Sequence, residues 1–287
     1  MIDAVKERVV LAPNPSALTG PGTNSFLLGT RQVAVIDPGP DIPSHLDAIV
    51  AAAGGADRIS HILVTHAHLD HSGGVRRLAR MTGAPVLAFG DAAAGRSALM
   101  ARLAGQGLQG GEGVDRDFAP DIVLADGAVV ETDEWTLKAI HTPGHMGNHL
   151  SFACGDTIFC GDVVMAWSTT LISPPEGDLA DFFRSLDRLA AREARRLVPA
   201  HGPAVTDVPA RLAELAAHRR ARTGQIMAAL QQAPGDAAAL AARIYDVPAE
   251  LLPAAARNVL AHLVALHELG AVRPDDARLP EATWHPG

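Results

Sequence analysis

Three histidines and an aspartate stand within six residues in the segment His66-Ala67-His68-Leu69-Asp70-His71. All four side chains are ligand types for Zn²⁺ or a similar borderline metal. The apolar run Ile62-Leu63-Val64-Thr65 just before them predicts a short buried strand. The four residues therefore fall in the loop after the carboxyl end of a strand, where α/β proteins usually place their chemistry. The first two histidines are close enough to share one ion, and the aspartate and the third histidine suit a second.

Three further candidate ligands each follow the end of a predicted strand. His145 follows a strand over 136–140, Asp162 one over 157–160, and His201 one over 196–199. Each would be an ordinary polar loop residue if it stood alone. Because strand ends meet at one edge of a sheet in α/β architectures, their shared position favours a common site with the first segment.

Length and composition fit one large domain, or one large domain with a small appendage. The chain has 287 residues, of which 48% are hydrophobic, and a formal net charge of −8. Neither a signal-peptide pattern nor a run of about 18 apolar residues is present, so we expect a cytoplasmic protein with no membrane segment. The acidic balance does not favour a protein that holds long nucleic acid by bulk electrostatics.

The hydrophobic pattern divides the chain into two strand-rich halves and a helical tail. The first half contains a β-α-β unit that ends at the histidine-rich segment, followed by a helix predicted over 72–81. A glycine-rich stretch over 90–113 predicts a mobile insertion beside the site. The second half has six predicted strands and a helix over 179–191. Two such halves predict an α/β fold, a four-layer αβ/βα sandwich with the site at the shared edge.

The tail beyond about residue 206 has a helical pattern. Helices are predicted over 209–221, from 225 to 231, over 239–245, and from 253 to about 270. A short polar segment after Val272 fits the wing of a small winged-helix module. We therefore predict a catalytic domain over 1–206 and a helical winged-helix-like domain over 207–287. Over residues 210–287, arginines and acidic residues are equal in number, which argues against DNA binding.

The sequence resembles the metallo-β-lactamase superfamily over roughly residues 8 to 206. The segment over 66–71 matches the His-x-His-x-Asp-His motif of that superfamily, and the three later candidates match its remaining ligand positions in order. The resemblance implies the four-layer sandwich and a dinuclear metal centre. The implied ligands are His66, His68 and His145 for the first metal, and Asp70, His71 and His201 for the second, with Asp162 bridging.

A narrower resemblance, to the lactamase-beta-like protein 2 group, lies in shorter motifs. They are Asn14-Pro15, Gly20-Pro21-Gly22-Thr23-Asn24-Ser25-Phe26-Leu27, and Thr142-Pro143-Gly144-His145 with His149 four residues on. Members of that group are assigned either endoribonuclease activity or hydrolysis of thioesters and related acyl bonds. Asp37, His149 and Asn24 are expected to support the ligands or to contact substrate.

These observations predict a metal-dependent hydrolase. Two ions would hold a hydroxide that attacks an ester, thioester or lactone bond of a small substrate, with Asp70 helping to orient the hydroxide. Zinc is the expected metal, and iron or manganese also suit imidazole with carboxylate ligands. The insertion and the tail are expected to form the walls of the pocket.

Two alternatives stay open. An endoribonuclease acting on single-stranded RNA would need clustered arginines, and Arg219, Arg220 and Arg222 form the one local run in the tail. In the other alternative, the tail is a DNA-binding or dimerising module and the metal domain senses a ligand. A homodimer is a further expectation, which gel filtration can test.

Overall fold

The computed structural model describes residues 7–111, 113–276, 278–279 and 281–287. Residues 1–6 of the predicted catalytic domain and residue 112 of the predicted insertion lie outside the described residues. The described residues form two large sheets, a two-stranded hairpin and eight α-helices.

The first sheet has six strands in sequence order. They are β1 Arg8–Leu11, β2 Asn24–Leu28, β3 Val33–Ile36, β4 Ile59–Leu63, β5 Val86–Ala88 and β6 Ile122–Val123. The first three strands are antiparallel and the last four are parallel. The parallel strands are joined through helices, because a tight turn cannot connect parallel neighbours. These helices are α1 Pro43–Ala53, α2 Leu69–Ser72, α3 Val75–Thr82 and α4 Ala98–Gly105, with a 3-10 turn at Ala56–Arg58.

The second sheet has five strands in the order β11, β10, β9, β8, β7. They are β7 Val129–Glu131, β8 Thr136–His141, β9 Leu150–Cys154, β10 Thr157–Gly161 and β11 Arg196–Pro199. β10 and β11 are parallel and are joined through α5 Leu179–Ala190, whereas the other pairs are antiparallel. The Asp178 carboxylate caps α5 by accepting from the backbone of Ala180.

The two sheets pack face to face with helices on both outer faces. Phe26 on β2 and Phe159 on β10 lie in one shared core, and the centroids of their rings are 5.1 Å apart. Leu27, between two inward-facing residues of β2, faces the opposite way into a core shared with α1, as strand alternation requires. On the far side, Phe182 and Leu186 of α5 pack against the second sheet. This arrangement confirms the predicted four-layer sandwich.

The helices beside the histidine-rich segment differ from the prediction. In place of the single helix predicted over 72–81, two helices are present, and the first, α2, begins at Leu69 inside the segment. Gly73 and Gly74 separate them, and a Cβ atom on Gly74 would lie 2.8 Å from Leu46 Cδ2 of α1. A side chain at position 74 would therefore crowd α1, and Asp70 and His71 lie on a short helix rather than on a loop.

The predicted break in the tail is also wrong. One helix, α6 Val208–Gln232, replaces the two helices expected over 209–221 and from 225. Thr223 Oγ1 donates to the carbonyl of Arg219 one turn earlier, 3.2 Å away, and Gly224 is tolerated at a cost of about 1 kcal/mol relative to alanine. The first half of α6 packs against the second sheet and α5, and its second half packs in the tail core. The domain division at 206/207 stays a prediction.

The rest of the tail forms a compact winged-helix unit. It contains α7 Ala237–Ile244, a 3-10 turn at Ala249–Leu251, α8 Leu252–Glu268, and the hairpin β12 Val272–Pro274 with β13 Trp284–Pro286. Within the described residues, the helical stretch Ala249–Glu268 is long and apolar enough to cross a membrane by length and composition alone. Residues of α8 within this stretch are buried in the core of the tail, and core helices of globular domains meet the same criterion.

The glycine-rich insertion packs against the tail. Met100 and Leu103 of α4 and Leu108 after it are buried in the core formed by α6, α7 and α8. Arg257 of α8 donates to the carbonyl of Gln109, 2.7 Å away. The insertion and the tail thus share one core.

Candidate metal centre

The seven predicted ligands come together where the carboxyl ends of strands from both sheets meet. The segment after β4 supplies four of them, the loop after β8 supplies His145, and the ends of β10 and β11 supply Asp162 and His201. Three groups each have their ligand atoms within 4.8 Å of one another. They are His66, His68 and His145; His66, His71 and Asp162; and Asp70, His71 and His201.

The first group points three imidazole nitrogens at one another. His68 Nδ1 lies 2.9 Å from His66 Nε2 and 3.0 Å from His145 Nε2. His66 and His145 are buried and His68 is half-buried, and desolvation lowers the pKa of His68 to about 3, so the ring is neutral. Neutral imidazole nitrogens that face one point present lone pairs, which is what a metal ion binds.

Hydrogen bonds on the outer side fix which nitrogen faces the centre. His145 Nδ1 donates to the Leu171 carbonyl, 2.7 Å away, and His201 Nδ1 donates to the Gly22 carbonyl, 3.1 Å away. His71 Nδ1 donates to Asp37 Oδ2 at 3.0 Å. Since carbonyls and carboxylates can only accept, each Nδ1 carries a proton, and Nε2 is the nitrogen that can bind a metal ion at the centre.

The second group combines the two acidic residues with His71 and His201. His201 Nε2 lies 3.3 Å from Asp70 Oδ2 and 3.4 Å from Asp162 Oδ2. Asp162 Oδ2 is also 3.6 Å from His71 Nε2 and 3.8 Å from His145 Nε2. Asp162 thus lies between the two groups, at the place expected of a bridging ligand.

The donor set fits two divalent cations. His71 Nε2 and Asp162 Oδ1 are buried and have no hydrogen-bond partner among the described residues, a costly state that an ion relieves. Burial opposes it, but the carboxylate of Asp162 raises the pKa of His201 to about 10. Without a metal ion, the imidazoles beside Asp70 and Asp162 therefore stay protonated. A bound cation would replace these protons.

The predicted supporting residues lie directly behind the ligands. Asp37 accepts from the backbone of Thr65 at 2.7 Å and from its hydroxyl at 2.8 Å, besides binding His71. His149 Nε2 accepts from the backbone of Asp162 at 3.1 Å, so it orients a candidate ligand rather than contacting the cleft. A Cβ atom on Gly161 would lie 2.5 Å from that nitrogen, and glycine is therefore required before Asp162.

The narrower N-terminal motif also acts behind the site. The Gly22 carbonyl accepts from His201, and Asn24 Nδ2 donates to the carbonyls of Gly202 at 3.0 Å and Pro199 at 3.3 Å. Asn24 thus fastens the loop that carries His201 to β2. The motif holds a candidate ligand in place from the neighbouring sheet.

A cleft of about 620 Å³ opens beside the candidate ligands. Its apolar lining comes from four segments, which contribute Ala17 and Leu18; Leu69; Met165 and Leu171; and Val247, Leu251, Ala254 and Ala255. Tyr245 and Asn258 of the tail also line it. The tail therefore forms one wall, as predicted, whereas the described part of the insertion contributes Gly113 alone.

The arginine run of the tail does not face this cleft. Arg219 is buried beneath it, the Arg220 guanidinium lies 5.3 Å from the centroid of the Phe183 ring, and that of Arg222 lies 3.8 Å from the Tyr245 ring. The sequence offered the run as a candidate contact for RNA, and it did not point to Thr170 and Leu171, which contact His145, or to Asn258, which contacts the same loop at Ile172. No local pattern marks these residues, because their contacts span the two halves of the chain.

Comparison with known proteins agrees with this site. The sequence profile of the metallo-beta-lactamase superfamily matches residues 18–201, well over half of the chain. The profile of the beta-lactamase associated winged helix domain matches residues 237–284. The chain therefore belongs to the metallo-beta-lactamase superfamily and is an enzyme of the hydrolase class, with a C-terminal winged-helix domain.

Within the superfamily the similarity extends along most of the chain. The beta-lactamase-like protein 2 homolog of Drosophila melanogaster is 28% identical over 92% of this chain and 88% of its own length. An atrochrysone carboxyl ACP thioesterase of Aspergillus chevalieri is 33% identical over 78% of this chain, an alignment that spans 65% of that protein. A metallo-beta-lactamase family protein from Thermus thermophilus has a TM-score of 0.80, with 98% of both chains covered at 25% identity.

Proposed function

We propose that the protein is a zinc-dependent hydrolase of small acyl thioesters or esters. The observation that carries the proposal is the lining of the cleft. Apolar side chains from four segments face it, and no lysine or arginine stands among its described lining residues. Phosphodiester chains are held chiefly by cationic contacts, whereas an acyl chain gains from burying apolar surface.

The position of the cleft suits a carbonyl group at the candidate centre. When bound, two zinc ions would supply an activated water and polarise the carbonyl oxygen. The apolar side chains of Leu18, Met165 and Leu251 would hold the acyl chain and exclude bulk water. This lining would place the carbonyl at the candidate ligands, where the leaving group faces the open side of the cleft.

Asp70 is the residue proposed to handle the proton. Both carboxylates of the centre line the cleft, but the Asp70 side chain is 30% exposed and that of Asp162 is 11% exposed. Burial raises the pKa of Asp70, but the charges of His71 and His201 outweigh it, so the pKa lies below its usual range. The carboxylate is thus ionised and accepts a hydrogen bond from the attacking water.

The relatives support the same substrate class. A relative named as an ACP thioesterase shares a third of its aligned residues with this chain. A thioester carbonyl with an acyl chain matches the apolar cleft described above. Location in the cytoplasm and assembly as a homodimer remain proposals from the sequence.

The test is a substrate panel on the zinc-loaded protein. Acyl thioesters and p-nitrophenyl esters of increasing chain length would be compared with single-stranded RNA, using wild type, Asp70→Ala and Asp47→Ala. Asp47 is an exposed aspartate of α1 outside the centre and is the matched control. We expect thioester or ester hydrolysis in wild type and Asp47→Ala, and a loss of at least about 100-fold in Asp70→Ala.

Cleavage of RNA alone, abolished by Asp70→Ala, would show that the proposed substrate class is wrong. RNA cleavage that persists in Asp70→Ala would instead reveal contaminating nuclease. Manganese-loaded and iron-loaded protein, assayed in parallel, would test the choice of zinc.

A further inference from the structure

We propose that Arg219 and Asn258, two residues of the C-terminal helices, are positioning residues for the candidate metal ligand His145. They act through the loop that contains Thr170, Leu171 and Ile172. The inference concerns binding of metal and goes beyond the choice of substrate. It rests on the proposed function only in taking the same seven-residue centre as the metal site.

The first step is the contact between the loop and the ligand. His145 Nδ1 lies 2.7 Å from the Leu171 carbonyl and 2.9 Å from Thr170 Oγ1. Both acceptors belong to adjacent residues of one loop. The orientation of the His145 ring, and the direction of its Nε2 lone pair, therefore depend on where that loop stands.

The second step is the attachment of the loop to the tail. The Arg219 guanidinium donates to the carbonyl of Thr170 and, at 3.0 Å, to Asn258 Oδ1. The same Asn258 oxygen accepts from the backbone of Ile172 at 3.0 Å. The residues on both sides of Leu171 are thus fixed by one arginine on α6 and one asparagine on α8.

The environment of Arg219 shows that this attachment is its main polar interaction. The side chain is 2% exposed, and no ion pair to a carboxylate is formed with it within the described part of the chain. Its charge is instead met by the Thr170 carbonyl, the Asn258 amide oxygen and the Phe182 ring, 5.5 Å from the guanidinium carbon. A buried charge placed against carbonyl dipoles holds them in one geometry, because leaving either side unpaired is costly.

A purely structural role would make different demands on these residues. A residue that only joins the two domains could be removed with a loss of stability and no change in the metal centre. The contacts described here instead end on the backbone of Thr170 and Ile172, directly on either side of the Leu171 carbonyl that accepts from His145 Nδ1. Removal of the guanidinium should therefore change metal affinity as well as stability.

The test compares variants of the full chain. Arg219→Met keeps the apolar stem and removes the guanidinium, Arg219→Lys restores one donor, and Asn258→Ala removes the shared acceptor. The control is Arg220→Met, a neighbouring arginine on α6 whose guanidinium lies over the Phe183 ring. Affinity for Co²⁺ and Zn²⁺ would be measured by chelator competition, with the Co²⁺ visible spectrum as a probe of ligand geometry. The melting temperature of the metal-free proteins would be recorded in parallel.

We expect the affinity for the metal ion that depends more on His145 as a ligand to fall about 10- to 100-fold in Arg219→Met and Asn258→Ala. Arg219→Lys should recover part of the loss, the Co²⁺ spectrum should change, and Arg220→Met should match wild type. Unchanged affinity and spectrum in both variants, with only a lower melting temperature, would overturn the proposal. If Arg219→Met does not fold, Asn258→Ala decides the question alone.

Metal affinity does not depend on which bond the enzyme hydrolyses. A negative result in the substrate panel therefore leaves this proposal standing, and a negative result here leaves the substrate class standing.

Discussion

His262 should make the stability of this protein fall as the pH drops below neutrality. The residue lies on α8, is 1% exposed, and its Nδ1 is 2.9 Å from Thr223 Oγ1 of α6. Its Nε2 has no partner among the described residues. Burial and the positive charges of Arg219 and Arg222 lower the pKa of His262 to about 3.

The sign and size of the effect follow from proton linkage. An unfolded histidine titrates near pH 6.5, so between about pH 6.5 and 3 the unfolded chain binds a proton that the folded chain does not. Protonation therefore stabilises the unfolded state, and the free energy of unfolding falls by about 1.4 kcal/mol per pH unit below about 6.5. At pH 5 this residue alone should lower stability by about 2 kcal/mol relative to pH 8.

The assay is urea unfolding of wild type and His262→Asn at pH 5, 6, 7 and 8, at one fixed zinc concentration. Asparagine keeps a polar atom near Thr223 and cannot titrate. The metal-binding histidines also titrate, but they do so in both proteins, so they cancel in the difference. The quantity of interest is the free energy of unfolding of His262→Asn minus that of wild type. We expect it to rise by about 2 kcal/mol between pH 8 and pH 5. If the free energies of unfolding of wild type and His262→Asn changed in parallel between pH 8 and pH 5, the reasoning would be refuted.

Two further predictions concern the centre and the cleft. Asp37→Asn should weaken zinc binding about 10- to 100-fold, because an amide nitrogen cannot accept from both Thr65 and His71; an unchanged affinity in chelator competition would contradict this role. Leu251→Trp should raise KM for long acyl chains by about 10-fold or more and leave acetyl substrates unaffected, because it narrows the apolar end of the cleft. Leu269→Trp, on an exposed residue outside the cleft, is its control, and equal effects on all chain lengths would show that Leu251 does not meet the acyl chain.

The sandwich and its ligands could be predicted from sequence because each signal is local. Strand β11, Arg196–Pro199, consists of one arginine and three apolar residues with a histidine two positions after it, and the predicted bounds match the observed ones. The histidine-rich segment has a spacing that few other functions use. Strand ends that follow such runs must meet at one sheet edge, so the convergence of the ligands follows from the topology.

The remainder depends on contacts between distant parts of the chain. Arg219 lies in a charged run that is typical of a solvent-exposed helix face, and only the fold shows that it is buried against Thr170, 49 residues earlier. Thr223-Gly224 is a local helix-breaking signal, but packing at both ends of α6 outweighs the small cost of the glycine. From its glycines, the insertion is predicted to lie beside the site. In the structure, the apolar face of α4 is instead buried in the tail core.

The turn between α7 and α8 can change during evolution without affecting the candidate metal ligands. It supplies Val247 and Leu251 to the cleft, yet it lies more than 40 residues beyond His201, the last candidate ligand in the chain. After a gene duplication, substitutions in this turn can therefore reshape the substrate pocket while every ligand is retained. New substrate preferences can arise in such a lineage without a stage in which the metal centre is lost.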